Sequence, residues 1–457
     1  MSMNPSASEI IIDHVLGLRW GDLPEAATCA AATFLHDTVA VGIAGTRAAH
    51  ADGIVAAASK WGAGGISVLG RPDLQLPAPN AAFVNAFQIH AQEFDCVHEA
   101  AVVHPLATIV AVLLAEAESS GPYSGRDMLT ALVAGVDVTA GLGLSATTGL
   151  KFFRPATAGI FGCVAALANL RRLDRQVALD AMGYGLAFAS GTMQAHLEGK
   201  ATLPVQIAAA ARSALQAVDL ASAGLPGPLQ AIDGPFGYLA LYEDGSNLGP
   251  VLAELGRRFR ITEVSWKPFP TGRAAHGAIV AIQTLIARHG LHADQLRSLT
   301  YRAPPLIARL VGRPATGGMT PAYARLCLPF LAAVVISRGT VGLDDFVSER
   351  LADAGLMAMA AKVKVVDDGN PDPSAFVPAV AIAELNDGTL LTSVVDAQFG
   401  SPEWPLSHTQ HLAKAKACLE FGGLGGVHQQ LSDLFEGIAG IEDFVRSLNE
   451  VLHPLKH

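Results

Sequence analysis

From residue 7 to about 255, apolar positions recur at helical spacing, and the breaks fall at proline, glycine and small polar residues. The stretch PEAATCAAATFLHDTVAVGIAG (24–45) enters at a proline and stops at a glycine, and PNAAFVNAFQIHAQ (79–92) enters the same way. SGRDMLTALVAGVDVTAGLGL (124–144) places Ser-Gly before an amphipathic run. The stretches 157–173, 174–191 and 203–224 continue the pattern. Small residues fill these helices, so they can approach closely, and this part of the chain reads as all-α.

After about 260 the period changes. RSLTYRAP (297–304), AKVKVVDD (361–368), AVAIAEL (379–385) and TLLTSVVDAQ (389–398) read as strands, with NDG (386–388) as a hairpin turn. Helices are expected near 274–289 and 321–338, and the chain returns to helix over 408–452. The fold class expected is therefore mainly α with an inserted α+β domain. The helical domain comprises 1–260 and 405–457, and 261–404 forms a smaller, lid-like α+β unit.

Composition supports two cores. The chain has 457 residues, 51% apolar and 16% charged, which is more than one ordinary core accommodates. The formal charge is −10 and no basic block occurs, so no nucleic-acid partner is expected. An anionic substrate would need a local cationic pocket. Five scattered cysteines without a CxxC pair read as reduced thiols, which fits a cytoplasmic protein. MSMNPSASEI has no basic start leading into an apolar stretch, so no signal peptide is expected. Runs such as PLATIVAVLLA (105–115) are too short to cross a bilayer, so no membrane association is expected.

Three segments carry candidate chemistry. HAQEFDCVHEAAVVHP (90–105) gathers His90, Glu93, Asp95, His98, Glu99 and His104. His98 and His104 are six apart, which misses the i, i+4 spacing of a helical metal site, and no HExxH or CxxC supports one. A solvated loop and an acid–base loop ending at the helix start His104-Pro105 both fit the remaining pattern. In SWKPFPTGRAAHG (265–277), two prolines stiffen a turn that carries Lys267, Arg273 and His276. Such a group can clamp carboxylates, or it can be surface charge beside a core histidine. In KFFRPATAGIFG (151–162), Arg154 precedes a proline, and the plain alternative is a surface arginine at a helix cap. The glycine runs GLGLSATTG and GGLGG have neither the preceding strand nor the Lys-Ser/Thr ending of a phosphate loop.

Taken in order, HDTVAVGIAG, AAFVNAFQIHAQEFDCVH, HPLATIVAVLLAEAE, SGRDMLTALVAGVDV, FRPATAGIFGCVAALA, WKPFPTGRAAHGAI and GSPEWPLS resemble the MmgE/PrpD family over nearly the whole chain. That family includes 2-methylcitrate dehydratase, cis-aconitate decarboxylase and iminodisuccinate epimerase. The resemblance implies a helical domain and a lid, with an active site between them. It also implies a homodimer, a small di- or tricarboxylate substrate, and no metal or organic cofactor. By motif it places Glu93 and Asp95 in the acidic loop, His104 after it, Lys267 at the head of the K-P-F-P turn and His276 at its end, with Arg273 between. Asp95, His104, Lys267 and His276 are then the expected catalytic residues. Glu93, Arg154, Arg273 and Lys200 are the expected substrate-binding residues.

The sequence departs from the family at Glu93, Cys96, Val97, Arg154, Leu203 and Gly272, with Lys200 three residues from the position of a family lysine. These departures point to a retained scaffold and an altered substrate shell. A hydro-lyase reaction is the first expectation. Epimerisation, decarboxylation and a non-catalytic carboxylate-binding relative are the alternatives.

Overall fold

A computed structural model describes residues 5–372 and 375–453. Two hydrophobic cores divide them. The larger joins helices from Ala7 to Leu215 with Leu419, Leu431, Phe444 and Leu448 of the C-terminal segment. The smaller runs from Phe269 to Val395. The C-terminal helices thus return to the first core. His408–Phe421 lies along Glu25–Ala44, where the Lys414 ammonium meets Asp37 at 2.9 Å.

Small residues set the spacing in the helical core. Gly125–Ser145 begins with a reciprocal cap, in which Ser124 Oγ accepts the Asp127 N–H and the Asp127 carboxylate accepts the Ser124 N–H. It then crosses Gly159–Arg171 at close range. A Cβ at Gly162 would stand 1.8 Å from Thr139 Oγ1 and 2.6 Å from the Gly135 carbonyl oxygen. Only hydrogen fits there.

Among the described residues two helices are long and apolar enough to cross a membrane, Glu25–Arg47 and Gly125–Ser145, which exceeds the run lengths expected from sequence. Their apolar windows are 67% and 94% buried inside the protein, so other helices, and not lipid, cover most of that surface.

The helical domain is not purely α. A short antiparallel hairpin, β1 (Ile66–Val68) and β2 (Arg71–Leu76), follows the helix Ala51–Ser59. Gly70 takes a φ of +67° in its turn. The turn is held by helix Ala78–Ala91: Asn85 Oδ1 accepts the Leu69 N–H, and Gln88 Nε2 donates to the Leu69 carbonyl, both at 2.9 Å. These long-range bonds, absent from local periodicity, are what make the segment β.

In the second unit, β3 (Leu296–Ala303), β4 (Val363–Asp367), β5 (Ala379–Leu385) and β6 (Leu390–Val395) form one sheet in the order β4-β3-β5-β6. The β3–β4 pair is parallel, and β3–β5 and β5–β6 are antiparallel. The hairpin at 386–388 closes β5 onto β6, with Gly388 at φ +87°. Helices His276–His289 and Leu328–Arg338 share the apolar core with the sheet.

The helix expected over 321–338 is broken into Pro321–Ala324 and Leu328–Arg338. Pro329 has no N–H and its ring excludes the carbonyl four residues back, that of Arg325. The freed Arg325 carbonyl accepts the Gly272 N–H at 3.0 Å instead. The segment 157–173 is likewise split, with Arg154–Thr157 forming a separate turn before Gly159–Arg171.

Replacing Gly162 by Ala forces Gly125–Ser145 and Gly159–Arg171 apart. We expect a loss of about 1–3 kcal/mol, measured as a lower denaturant midpoint for the far-ultraviolet circular dichroism of the helical domain.

Candidate active site

The helix Ala78–Ala91 delivers His90 in its last turn, and the chain then bends sharply. Glu93 follows with a φ of +51°, and Val102 takes +52°. Both are unusual for residues with side chains, and a β-branched valine especially so. Strain of this kind costs about 1–3 kcal/mol per residue and persists only where neighbours enforce it. Here the enforcement is visible. Val97 and Ser265 exchange backbone hydrogen bonds of 3.0 and 2.8 Å, and His98 and Val103 close a second bridge. His98 Nδ1 accepts the Ala101 N–H at 3.2 Å, and its Nε2 faces Glu263 at 3.1 Å. The Val97–Ser265 pairing stitches the acidic loop to the segment carrying Lys267.

Asp95 is fully buried at the centre of this loop. Its Oδ2 accepts from Nδ1 of His90 and from Nδ1 of His104, each at 3.0 Å. The two imidazoles stand edge to face with centroids 4.8 Å apart. Lys267, also fully buried, places Nζ 2.8 Å from Glu93 Oε2 and 3.8 Å from Asp95 Oδ1. The solvated-loop alternative therefore fails, because the cluster is packed and internally bonded.

The arrangement separates the protonation states of the two histidines. Burial works to raise Asp95, yet His90, His104 and Lys267 hold it well below the usual carboxylate range. Burial opposes Glu93 too, but Lys267 and both histidines bring it down to about 2. For His104, burial outweighs the pull of Asp95 and lowers its pKa. For His90, burial is overcome by Asp95 and Glu93, and the pKa is raised. At neutral pH His104 is a neutral imidazole with Nδ1–H fixed on Asp95 and a free Nε2 lone pair. Relative to His104, His90 is shifted toward the imidazolium form, with its Nε2 3.8 Å from Glu93 Oε1. Environments that push two titratable groups apart mark an acid and a base.

His104, His90 and Glu93 line a cavity of about 70 Å³ whose other walls are mostly apolar, including Val97, Val102, Phe153, Leu203 and Leu326. The cavity shares His90, Glu93, Leu203 and Leu326 with a larger cleft of about 750 Å³. Gly272, Arg273 and Ala274 contribute from the other segment, so both stretches singled out in the sequence border one opening.

The remaining expected residues take other places. Arg273 lines the cavity, but its guanidinium is tied to Glu99 at 2.6 Å and to the carbonyls of Trp266, Gln398 and Phe399. It builds the wall and has little left for a ligand. His276 is completely buried behind it, accepting from Arg273 Nη1 at 3.1 Å and packed edge-on to Phe269. Burial, with Arg273 and Lys267 nearby, pushes its pKa far down. It is absent from the cavity wall and holds Arg273 in position, so it does not suit the role of proton donor to substrate.

Arg154 is neither a surface charge nor a free clamp. Its Nε and Nη2 grip both oxygens of Glu243 at 2.8 and 2.9 Å, and Nη1 donates to the Ala101 carbonyl at 3.1 Å. Lys200 stands exposed on the outer cleft.

Two residues went unselected in the sequence. His90 lay in the quoted cluster, and its signal was the helical i, i+3 relation to Glu93. Arg325, buried on the outer cleft, had no local signal.

His90, Asp95 and His104 could offer ligand atoms within 4.8 Å of one another. The 3.0 Å contacts are hydrogen-bond lengths, however, and the Lys267 ammonium already supplies positive charge beside both carboxylates. A divalent cation would have to displace both histidine N–H bonds and sit against that ammonium.

The chain matches the MmgE/PrpD N-terminal domain over residues 9–250 and the MmgE/PrpD C-terminal domain over residues 269–431. It is 27% identical over 431 residues to cis-aconitate decarboxylase of Homo sapiens, covering 91% of this chain and 88% of that protein. The Mus musculus cis-aconitate decarboxylase is 26% identical over 435 residues, covering 91% and 87%. The cis-aconitate decarboxylase-like protein oryM of Aspergillus oryzae is 27% identical over 411 residues, covering 84% and 85%.

The Arg154–Glu243 pair yields a prediction that separates packing from ligand binding. Glu243→Ala strands a buried guanidinium and should cost about 3–5 kcal/mol. The double variant Arg154→Met, Glu243→Leu should recover most of that loss in a denaturation titration.

Proposed function

The chain belongs to the MmgE/PrpD family, and from that premise we propose that it is a cofactor-independent lyase acting on a small di- or tricarboxylic acid. In this reading it removes a proton next to a carboxylate, and loss of water follows. The observation that carries the proposal is the single Asp95 oxygen shared by Nδ1 of His90 and His104, which leaves His104 Nε2 free at a cavity.

Proton transfer needs a base that is unprotonated and aimed. His104 meets both conditions: its tautomer is fixed by Asp95, and its lowered pKa keeps Nε2 available at neutral pH. As the proton leaves carbon, charge moves onto the adjacent carboxylate, and fixed positive groups lower the barrier by meeting it there. His90, whose pKa the same Asp95 and Glu93 raise, supplies a proton to the departing hydroxyl. Lys267 helps to keep Glu93 and Asp95 ionised, and the two carboxylates in turn raise the pKa of His90 while burial lowers that of His104. Epimerisation would call for donors on opposite faces of one carbon, whereas these imidazoles are neighbours hung from one oxygen. Decarboxylation is the second reading. The named relatives favour it, and protonated His90 would deliver a proton to the carbanion left by carbon dioxide.

His104→Gln should reduce kcat by about 10²–10⁴-fold on the compound the protein turns over, cis-aconitate and hydroxylated di- and tricarboxylates being the first to assay. An unchanged kcat would remove the base assignment. In deuterated water the wild type should place deuterium at the carbon beside the carboxylate, and the variant should not.

The pH profile has a sign. The base His104 has a pKa below 6.5, so activity falls as acid protonates it. The acid His90 has a pKa above 6.5, so activity falls again as alkali deprotonates it. The expected profile of kcat/KM is a bell spanning pH 6.5, whose two limbs belong to the coupled pair. A single rising limb would contradict it.

A further inference from the structure

The cations expected to hold a substrate carboxylate are mostly engaged already: Lys267 by Glu93, Arg154 by Glu243 and Arg273 by Glu99. One buried cation near the site differs. Arg325 is 3% exposed and makes no ion pair with any described residue. Its Nη1 donates to the carbonyls of Gln92 at 2.9 Å and Pro270 at 2.7 Å, and its Nη2 donates to Gln92 Oε1. All three acceptors are neutral. A guanidinium has five N–H groups, so the Nε–H and one Nη2–H remain uncommitted. The face of the guanidinium is covered by Phe346, 3.9 Å from the ring centroid.

The position follows from the sequence. Pro329 breaks the helix at Arg325, and the freed carbonyl docks on Gly272. The side chain then reaches Gln92, the residue before Glu93. Arg325 lines the outer cleft where that cleft meets the cavity, beside His90, Glu93 and Leu326. Arg47 and Lys200 add positive charge on the same cleft.

We infer that Arg325 is the carboxylate anchor of this site, gripping one substrate carboxylate with its uncommitted N–H edge so that the adjacent carbon faces His104. This rests on the proposed carboxylate chemistry and names its anchoring group. A guanidinium fork is the preferred partner of a planar carboxylate. Burial outweighs the longer-range pull of Glu93 and Asp345 and lowers the Arg325 pKa to about 9, and a carboxylate arriving in direct contact relieves that penalty.

The test is calorimetric binding of two unreactive probes, succinate and tricarballylate, with neutral succinamide as control. Wild type should bind the two anions and not succinamide. Arg325→Lys keeps the charge and loses the fork, and should weaken anion binding about 10- to 100-fold. Gln92→Glu leaves Arg325 in place and gives it an internal carboxylate, so it should fold normally and lose anion affinity to a similar degree. A purely structural Arg325 predicts that Arg325→Lys binds the probes unchanged, and that result overturns the inference. Wild type that takes up neither probe overturns it as well. The base assignment stands or falls separately, on turnover by His104→Gln.

Discussion

A single carboxylate oxygen, Asp95 Oδ2, organises this molecule. It accepts from two imidazoles at once, in a place with no exposure to solvent. An isolated carboxylate in such a place would be prohibitively unfavourable. It is tolerated because Lys267 stands 3.8 Å away and both histidines point their N–H groups at it. Lys267 in turn is held at Glu93, which sits in a strained conformation at the end of helix Ala78–Ala91. The buried charges therefore form one closed network, in which each member's ionisation depends on the others.

The same logic extends outward. Arg273 is fixed by Glu99 and three carbonyls, Arg154 by Glu243, and Lys414 by Asp37 and the Phe94 carbonyl. Arg273–Glu99 ties the Lys267 turn to the acidic loop, and the other two pairs fix segments within the helical unit. Buried pairs of this kind contribute little net stability, since desolvation offsets much of their attraction. What they supply is position: they set where the acidic loop, the Lys267 turn and the cavity lie relative to one another. The chain retains a family scaffold, while several cations that could face a ligand are neutralised from within. This is why the substrate anchor has to be sought at Arg325, the buried arginine beside the site left without a carboxylate.

The sequence by itself determined a good deal. Helical period, proline entries and glycine exits located most long helices. Alternation and an NDG turn located the four-stranded sheet, because these signals are local and short-range sterics enforce them. The clustering of Asp95 with His104, and the stiff turn carrying Lys267, were also legible, since unusual residue types stood close together in the chain. Tertiary structure decided the rest. The hairpin of β1 and β2 depends on Asn85 and Gln88 of a later helix. Whether Arg154, Arg273 and His276 face a ligand or the protein depended on Glu243, Glu99 and Phe269, residues from 7 to 174 positions away in sequence. The role of Arg325 depended on Pro329 turning its carbonyl toward Gly272. A charged side chain carries the same letter whether it is free or paired, and only the fold brings its partner within reach.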